Sequence, residues 1–348
     1  MEFKTTKTEL SSALANLVRN ADPKQPFYAN IELSEKDGQL QLKSSNGIIT
    51  ITQTIKADIT EITPVAVPAL KLYEIVSRLE EVIEFYNGML VSGKNKIVLP
   101  TTDKLTLPNL NFETALFKVK TDSLNKALKG RIFACESNTQ GVLGGICINS
   151  DEVVSTNGNI MAIGKMEKLP FEETIIDVKL AQEITKVFGE EYIHVGFEGN
   201  KVIFMSDNKE LISMLKHGHY PKYKQIIPTS TAHEVKLNKH EMLKSLDLMK
   251  FMVDERLKTC GLKFYDNTLT LLTGENTSKM DIDYTSEEMT IWLNIEYLIN
   301  ALKNIEEDFV SFGFNDPRSA CILKTDADTT LIMPVQKSAW QKQAKNIE

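Results

Sequence analysis

Four signals recur in one order three times along this 348-residue chain, and a repeat of that kind leaves few folds open. The first is an apolar-periodic helix: Leu10, Ala13, Leu14 and Leu17, then Leu124, Ala127 and Leu128, then Met242, Leu246 and Met249. Spacings of three and four residues put each set on one helical face. The second signal is a strand that enters a polar turn and leaves as another strand, at Ser45-Asn46-Gly47, Thr156-Asn157-Gly158 and Thr273-Gly274, in steps of 111 and 117 residues. Asn-Gly marks a turn because both residues tolerate positive φ. The third is a second helix after an apolar strand: Leu72, Val76 and Leu79; Leu180, Ile184 and Val187; Leu298, Ala301, Leu302 and Ile305. Its steps, Val67 to Val178 to Ile295, are again 111 and 117 residues. Pro108-Asn109-Leu110, Pro221-Lys222-Tyr223 and Pro334-Val335 close the units, each 113 residues after the last.

The repeat predicts domains at 1–113, 114–231 and 232–336, followed by an extension at 337–348. Each domain reads as strand, helix, strands, helix, strands, which is the α+β class. Two helices for about eight antiparallel strands can cover only one face of a sheet. The other face is wet or forms the outside of an assembly.

Composition excludes whole classes. With 42% hydrophobic and 25% charged residues, 17 Gly and 11 Pro, the chain is neither collagen-like nor disordered. No run approaches the length of a membrane span, and MEFKTTKTEL has neither the apolar core of a signal peptide nor an Arg-rich transit pattern, so a cytoplasmic protein is expected. Cys135, Cys147, Cys260 and Cys321 form no CxxC pair and no zinc spacing, and read as reduced, mostly buried thiols.

No catalytic constellation emerges. Phosphate-loop, dinucleotide, nucleophile-elbow and HExxH motifs are all missing from the sequence. Gly93-Lys94 reads as a hairpin turn, Asp281 and Asp283 as a solvated strand face, and His217 and His219 as loop residues without a third ligand. No metal, cofactor or catalytic activity is expected.

Charge is more informative. Forty Lys and Arg against 47 Asp and Glu give a net charge of −7, but the basic-to-acidic counts are 12 to 14, 14 to 14 and 14 to 19 over the three thirds. Local basic segments therefore survive on an acidic body. Lys126, Lys129 and Arg131 follow one another on a single helix, while Lys24, Lys71, Lys179, Lys244, Arg256 and Lys258 occupy helices or the turns beside them. Gathered on one surface, these would hold phosphates without reading bases.

Several segments resemble the β sliding clamp of bacterial-type replicative DNA polymerase, the beta subunit of DNA polymerase III. HGHYPKYKQIIP (His217 to Pro228) is similar to the family's G-x-[FY]-P-x-[FY]-x-x-x-[IL]-P signature, and STNGNIMAI (Ser155 to Ile163) to its T-D-G-x-R-L-A segment. NIEYLINAL (Asn294 to Leu302) and LIMPV (Leu331 to Val335) resemble its N-x-x-Y-L-x-x-A-L helix and its terminal Met-Pro strand, and VPALKLYEI fits as well. The resemblance implies the DNA-clamp fold, with two chains head to tail in a homodimeric ring, helices inside and sheets outside. Such a ring encircles double-stranded DNA non-specifically and engages polymerase and clamp-loader subunits through short linear peptides, with no membrane partner.

The resemblance also implies a peptide cleft. Its residues would be Leu143, Thr156, Gly158, Asn159, Ile160, Met161 and Pro228, with Leu257, Asn294 and Tyr297. Leu331, Ile332, Met333, Pro334 and Val335 would complete it; for Leu331 and Met333, core and cleft are equally open readings. Departures from the family are also visible. Asn159-Ile160 stands where the family usually has His-Arg, removing a cationic side, and no aromatic residue stands near Gln140-Gly141-Val142. Lys337 to Glu348 extends beyond the usual end and reads as disordered or a short helix, with Trp340 in the groove as the alternative. A clamp-like protein scaffold that does not encircle DNA is the second functional reading.

Overall fold

The computed structural model describes residues 1–103, 105, 115–136, 141–169 and 173–335. Among the described residues six α-helices alternate with antiparallel strands: α1 (Lys7–Asn20), α2 (Ala69–Val76), α3 (Thr121–Ile132), α4 (Val178–Val187), α5 (Lys239–Lys250) and α6 (Ile295–Lys303). Their buried faces are those the spacing predicts: Leu10, Ala13, Leu14 and Leu17 in α1, and Met242, Leu246 and Met249 in α5. These two helices also begin alike. Thr6 accepts a hydrogen bond from the Glu9 amide at 3.2 Å and Asn238 one from the Glu241 amide at 3.1 Å, each satisfying an N–H with no partner inside the helix. Leu79 and Ile305 fall just past the ends of α2 and α6, yet both are buried.

The chain packs as two compact units, Met1–Asp122 with Glu183–Leu215, and Ser123–Gln182 with Lys216–Glu348. In the first unit a five-stranded sheet ends on the free strand Asn95–Val98. A nine-stranded sheet joins strands from the first third to strands from the middle third where Ile49–Ile55 pairs with Lys209–Met214, Ile51 opposite Leu211. In the second unit an eight-stranded sheet joins middle and last thirds where Ile160–Lys165 pairs with Asp328–Ile332. A four-stranded sheet there ends on Asn276–Asp281. The cut through the middle third has a physical origin: strand pairing continues across both repeat boundaries, so hydrogen bonds tie each half of that third to a neighbour.

Two of the three polar turns are built alike. Asn46 Oδ1 accepts from the Ile48 and Ile49 amides at 3.0 and 2.8 Å, and Asn157 Oδ1 from the Asn159 and Ile160 amides at 3.0 Å each. Gly47 and Gly158 sit at φ of +87° and +88°, a region costly for any residue with a Cβ. The third turn is built differently. Gly274, at φ +59°, follows Thr273, and Asn276 Nδ2 donates to the Thr273 carbonyl at 3.1 Å.

Arg131 departs from the sequence expectation, which groups it with the DNA-facing cations. It is 3% exposed, and its guanidinium pairs with Asp328. The Ser155 hydroxyl donates to the Arg131 carbonyl at 2.6 Å. Gly164, which stands opposite Asp328 in the ladder, leaves room for the guanidinium, and a Cβ there would fall inside it. Burial lowers the Arg131 pKa and Asp328 opposes that shift.

Burial also pushes all four thiols up to about 12. Thiols that remain protonated are poor nucleophiles. Thiol reagent at pH 8 is therefore expected to label the native chain slowly and all four cysteines rapidly after denaturation. Gly164→Ala is expected to cost about 3 kcal/mol or more in urea unfolding, because the methyl group displaces a buried charge from its partner.

Candidate functional site

The cleft residues all belong to the second unit, and the ladder there sorts them onto two faces. Met161 and Leu331 are opposite one another and pack with Cys147, Val154, Tyr220 and Tyr223, against which Val142 and Ile227 are half-buried. Ile160 and Ile332 are also opposite one another, but on the other face, inside the core formed with α5 and α6. At 1% and 0% exposure they are core side chains on the α5 and α6 face, which corrects the expectation for this pair; Met161 and Leu331, at 3% and 4%, are buried on the opposite face.

Where the sheet ends, the backbone itself builds the rim. The Met333 amide donates to the Asn159 carbonyl at 2.8 Å and the Val335 amide to the Trp292 carbonyl at 2.8 Å. Met333 is left 45% exposed, whereas Leu331 two residues earlier is 4% exposed. Thr156 is buried, with its hydroxyl on the Ile160 carbonyl at 2.7 Å, and it accepts from the Gly158 amide at 3.1 Å, so its role is to shape the turn. Gly158 and Asn159 are exposed at the tip.

The α6 side contributes a polar edge. Asn294 caps α6, accepting from the Glu296 and Tyr297 amides at 2.9 and 3.3 Å. The Tyr297 hydroxyl accepts from Asn157 Nδ2 at 3.2 Å, tying the turn of the middle third to the last third. Leu143, Pro228, Leu257, Pro334 and Val335 are half-buried. The Leu257 amide donates to Asp254 Oδ1 at 3.0 Å. Tyr220 and Tyr223 stand in the sequence signature, yet only the fold shows that they are buried in one cluster with Met161. The Tyr223 hydroxyl donates to Glu152 at 2.9 Å, and burial raises its pKa. Gln140 and residues 337–348, Trp340 included, lie outside the described residues.

The expected basic residues are not equivalent. Lys24 and Lys71 are exposed in the first unit. In the second unit Lys129, Lys179, Lys244 and Arg256 are exposed, and Lys126 is exposed with Glu306 at 3.6 Å. Lys258 is 2.7 Å from Glu296, which also holds Lys250 at 3.8 Å. Among the described residues, no group of three or more His, Cys, Asp or Glu stands close enough to hold a metal.

Leu331→Ala is expected to lower stability by about 2–5 kcal/mol, since it empties a buried site. Met333→Ala should cost about 0.5 kcal/mol or less at a half-exposed position. Denaturant titration of the two variants distinguishes floor from rim.

Comparison with known proteins places these features in a family. Two family models match, DNA polymerase III beta subunit, N-terminal domain, over residues 1–114, and the C-terminal domain of the same subunit over residues 224–336. The beta sliding clamp of Rickettsia felis is 25% identical over 351 residues, covering 89% of this chain and 92% of its own length. The crystal structure of the DNA polymerase III subunit beta from Pseudomonas aeruginosa superposes with a TM-score of 0.89 at 18% identity, covering 97% of this chain and 100% of that one. The sliding clamp of Bartonella birtlesii, solved bound to griselimycin, gives 0.89 at 21% identity, covering 97% and 100%.

Proposed function

The chain belongs to the DNA polymerase III beta subunit family, and from that membership we propose that it is a sliding clamp that closes as a head-to-tail homodimer around duplex DNA and tethers the polymerase. The observation that carries ring closure is a pair of unsatisfied surfaces. At the end of α5, Leu248, Phe251 and Met252 are all more than half exposed, Phe251 at 86%. α5 packs against the strand Asn276–Asp281, a free sheet edge. In the other unit the strand Asn95–Val98 is likewise a free edge, with Val98 exposed. Exposed edges and large apolar groups favour association, and pairing them between two copies would satisfy both.

The exposed cations supply the second half of the reading. Lys24, Lys71, Lys126, Lys129, Lys179, Lys244 and Arg256 would meet phosphates diffusely, which permits sliding. Pairs such as Lys126 with Glu306 are solvent-exposed and weak, so a phosphate can replace the carboxylate. The three-repeat organisation would supply six similar segments to the ring. Polymerase and loader subunits would bind as short peptides in the groove beside Met161, Leu331 and Met333. The clamp itself would be non-catalytic and cytoplasmic.

Wild-type protein loaded on nicked circular DNA is expected to stay until the circle is cut, and then to leave from the ends. Lys126→Glu with Lys129→Glu should weaken equilibrium binding to linear duplex DNA and flatten the fall of log K with log salt by about 0.9 for each phosphate no longer neutralised. Salt-sensitive binding that is equal on circles and linear DNA would favour the scaffold reading instead. Phe251→Arg with Met252→Asp should give monomers in sedimentation at concentrations where the wild type is dimeric, with unchanged circular dichroism.

A further inference from the structure

We infer that Arg131 is a positioning residue for the peptide groove, acting through the ladder between Ile160–Lys165 and Asp328–Ile332. This rests on reading the groove as a peptide site. The ladder joins strands more than 160 residues apart in sequence, and side chains along it alternate between two faces. Met161 and Leu331 are buried with Tyr220 and Tyr223 on the face read as the groove side, while Ile160 and Ile332 are buried in the α5 and α6 core on the other. Because the period is two residues, a slip of one would exchange the two sets. Sheet hydrogen bonds are much alike in every register, so they do not by themselves choose.

Arg131 supplies a choice. Its guanidinium reaches one carboxylate, Asp328, over the one position in that strand segment without a Cβ, Gly164. Gly164 and Asp328 are opposite each other in the observed register. A slip of Asp328–Ile332 would withdraw the partner of the buried cation, and a slip of Ile160–Lys165 would set that cation against a side chain with a Cβ. Breaking a buried pair on one side only is strongly unfavourable. The rim lies only five residues further along, about 17 Å at the usual strand rise, where Met333 bonds to Asn159. The Ser155 hydroxyl on the Arg131 carbonyl fixes the end of α3 to the same sheet. The pair therefore sets where Leu331 and Met333 stand relative to Met161.

The test separates positioning from plain stability. Replacing both partners by apolar side chains of similar size, Arg131→Met with Asp328→Leu, often restores stability lost by a single change. The probe is griselimycin, the compound with which the Bartonella birtlesii clamp was solved, measured by calorimetry on full-length protein beside thermal melting. The double variant is expected to melt within a few degrees of wild type yet bind at least tenfold more weakly, with faster amide exchange at Leu331 and Met333. Binding equal to wild type in the double variant would overturn the inference. Should that variant not fold, Arg131→Lys keeps the charge and loses the planar fork. Three- to tenfold weaker binding at a nearly unchanged melting point supports positioning, and unchanged binding overturns it. A wild-type chain that does not bind griselimycin would overturn the groove reading, whereas a wild type that binds and variants that bind equally well would overturn this inference alone.

Discussion

Antiparallel pairing that runs across repeat boundaries is the constraint on which the rest of this structure depends. A sheet within one repeat can be closed by short turns, but the strands Ile160–Lys165 and Asp328–Ile332 meet only after the chain has built most of a further repeat. Long-range pairing of this kind brings little local help, so its register has to come from side chains. Apolar alternation does part of that work, with Ile160 and Ile332 in the core and Met161 and Leu331 on the groove side. The buried Arg131–Asp328 pair does the rest. The other boundary, between Ile49–Ile55 and Lys209–Met214, carries the looser exposed pair of Lys36 with Glu210 at 3.1 Å.

The contrast between these ion pairs separates architecture from DNA contact. Lys126 and Glu306 are both well exposed and gain little from one another. Such a lysine can exchange a carboxylate for a phosphate at small cost, as a sliding surface requires. Arg131 has no such freedom, since removing it from Asp328 would leave a charge without water or partner. An acidic body of net charge −7 is compatible with the proposed ring because only the lining has to be cationic.

Much of the fold was legible in the residues because its determinants are local. Helical spacing identified the buried faces of α1 and α5, and Asn-Gly identified two turns whose hydrogen bonds prove to be alike. The third turn lacks that asparagine position, and its geometry is correspondingly different. The site was less legible. Motif matching located the strand that holds Met161 and the strand that holds Leu331, but assigned Ile160 and Ile332 to the groove along with them. A motif runs along the chain, whereas the choice of face depends on which side of a sheet a helix covers. Tyr220 and Tyr223 could have been added from their signature, had aromatic residues beside a Pro been read as floor as well as turn.

By itself the sequence determined the repeat, the class of fold, the helix faces, the polar turns and the family, since each is written in residues a few positions apart or in motifs of fixed order. The tertiary structure decided which cations remain exposed, which face of the sheet each apolar residue takes, and how the middle third divides between two units. Those outcomes turn on burial and on pairing between strands far apart in the chain. Arg131 shows the difference most plainly: in sequence it is one of three cations on a helix, and only the arrival of Asp328 and the missing Cβ of Gly164 take it out of solvent.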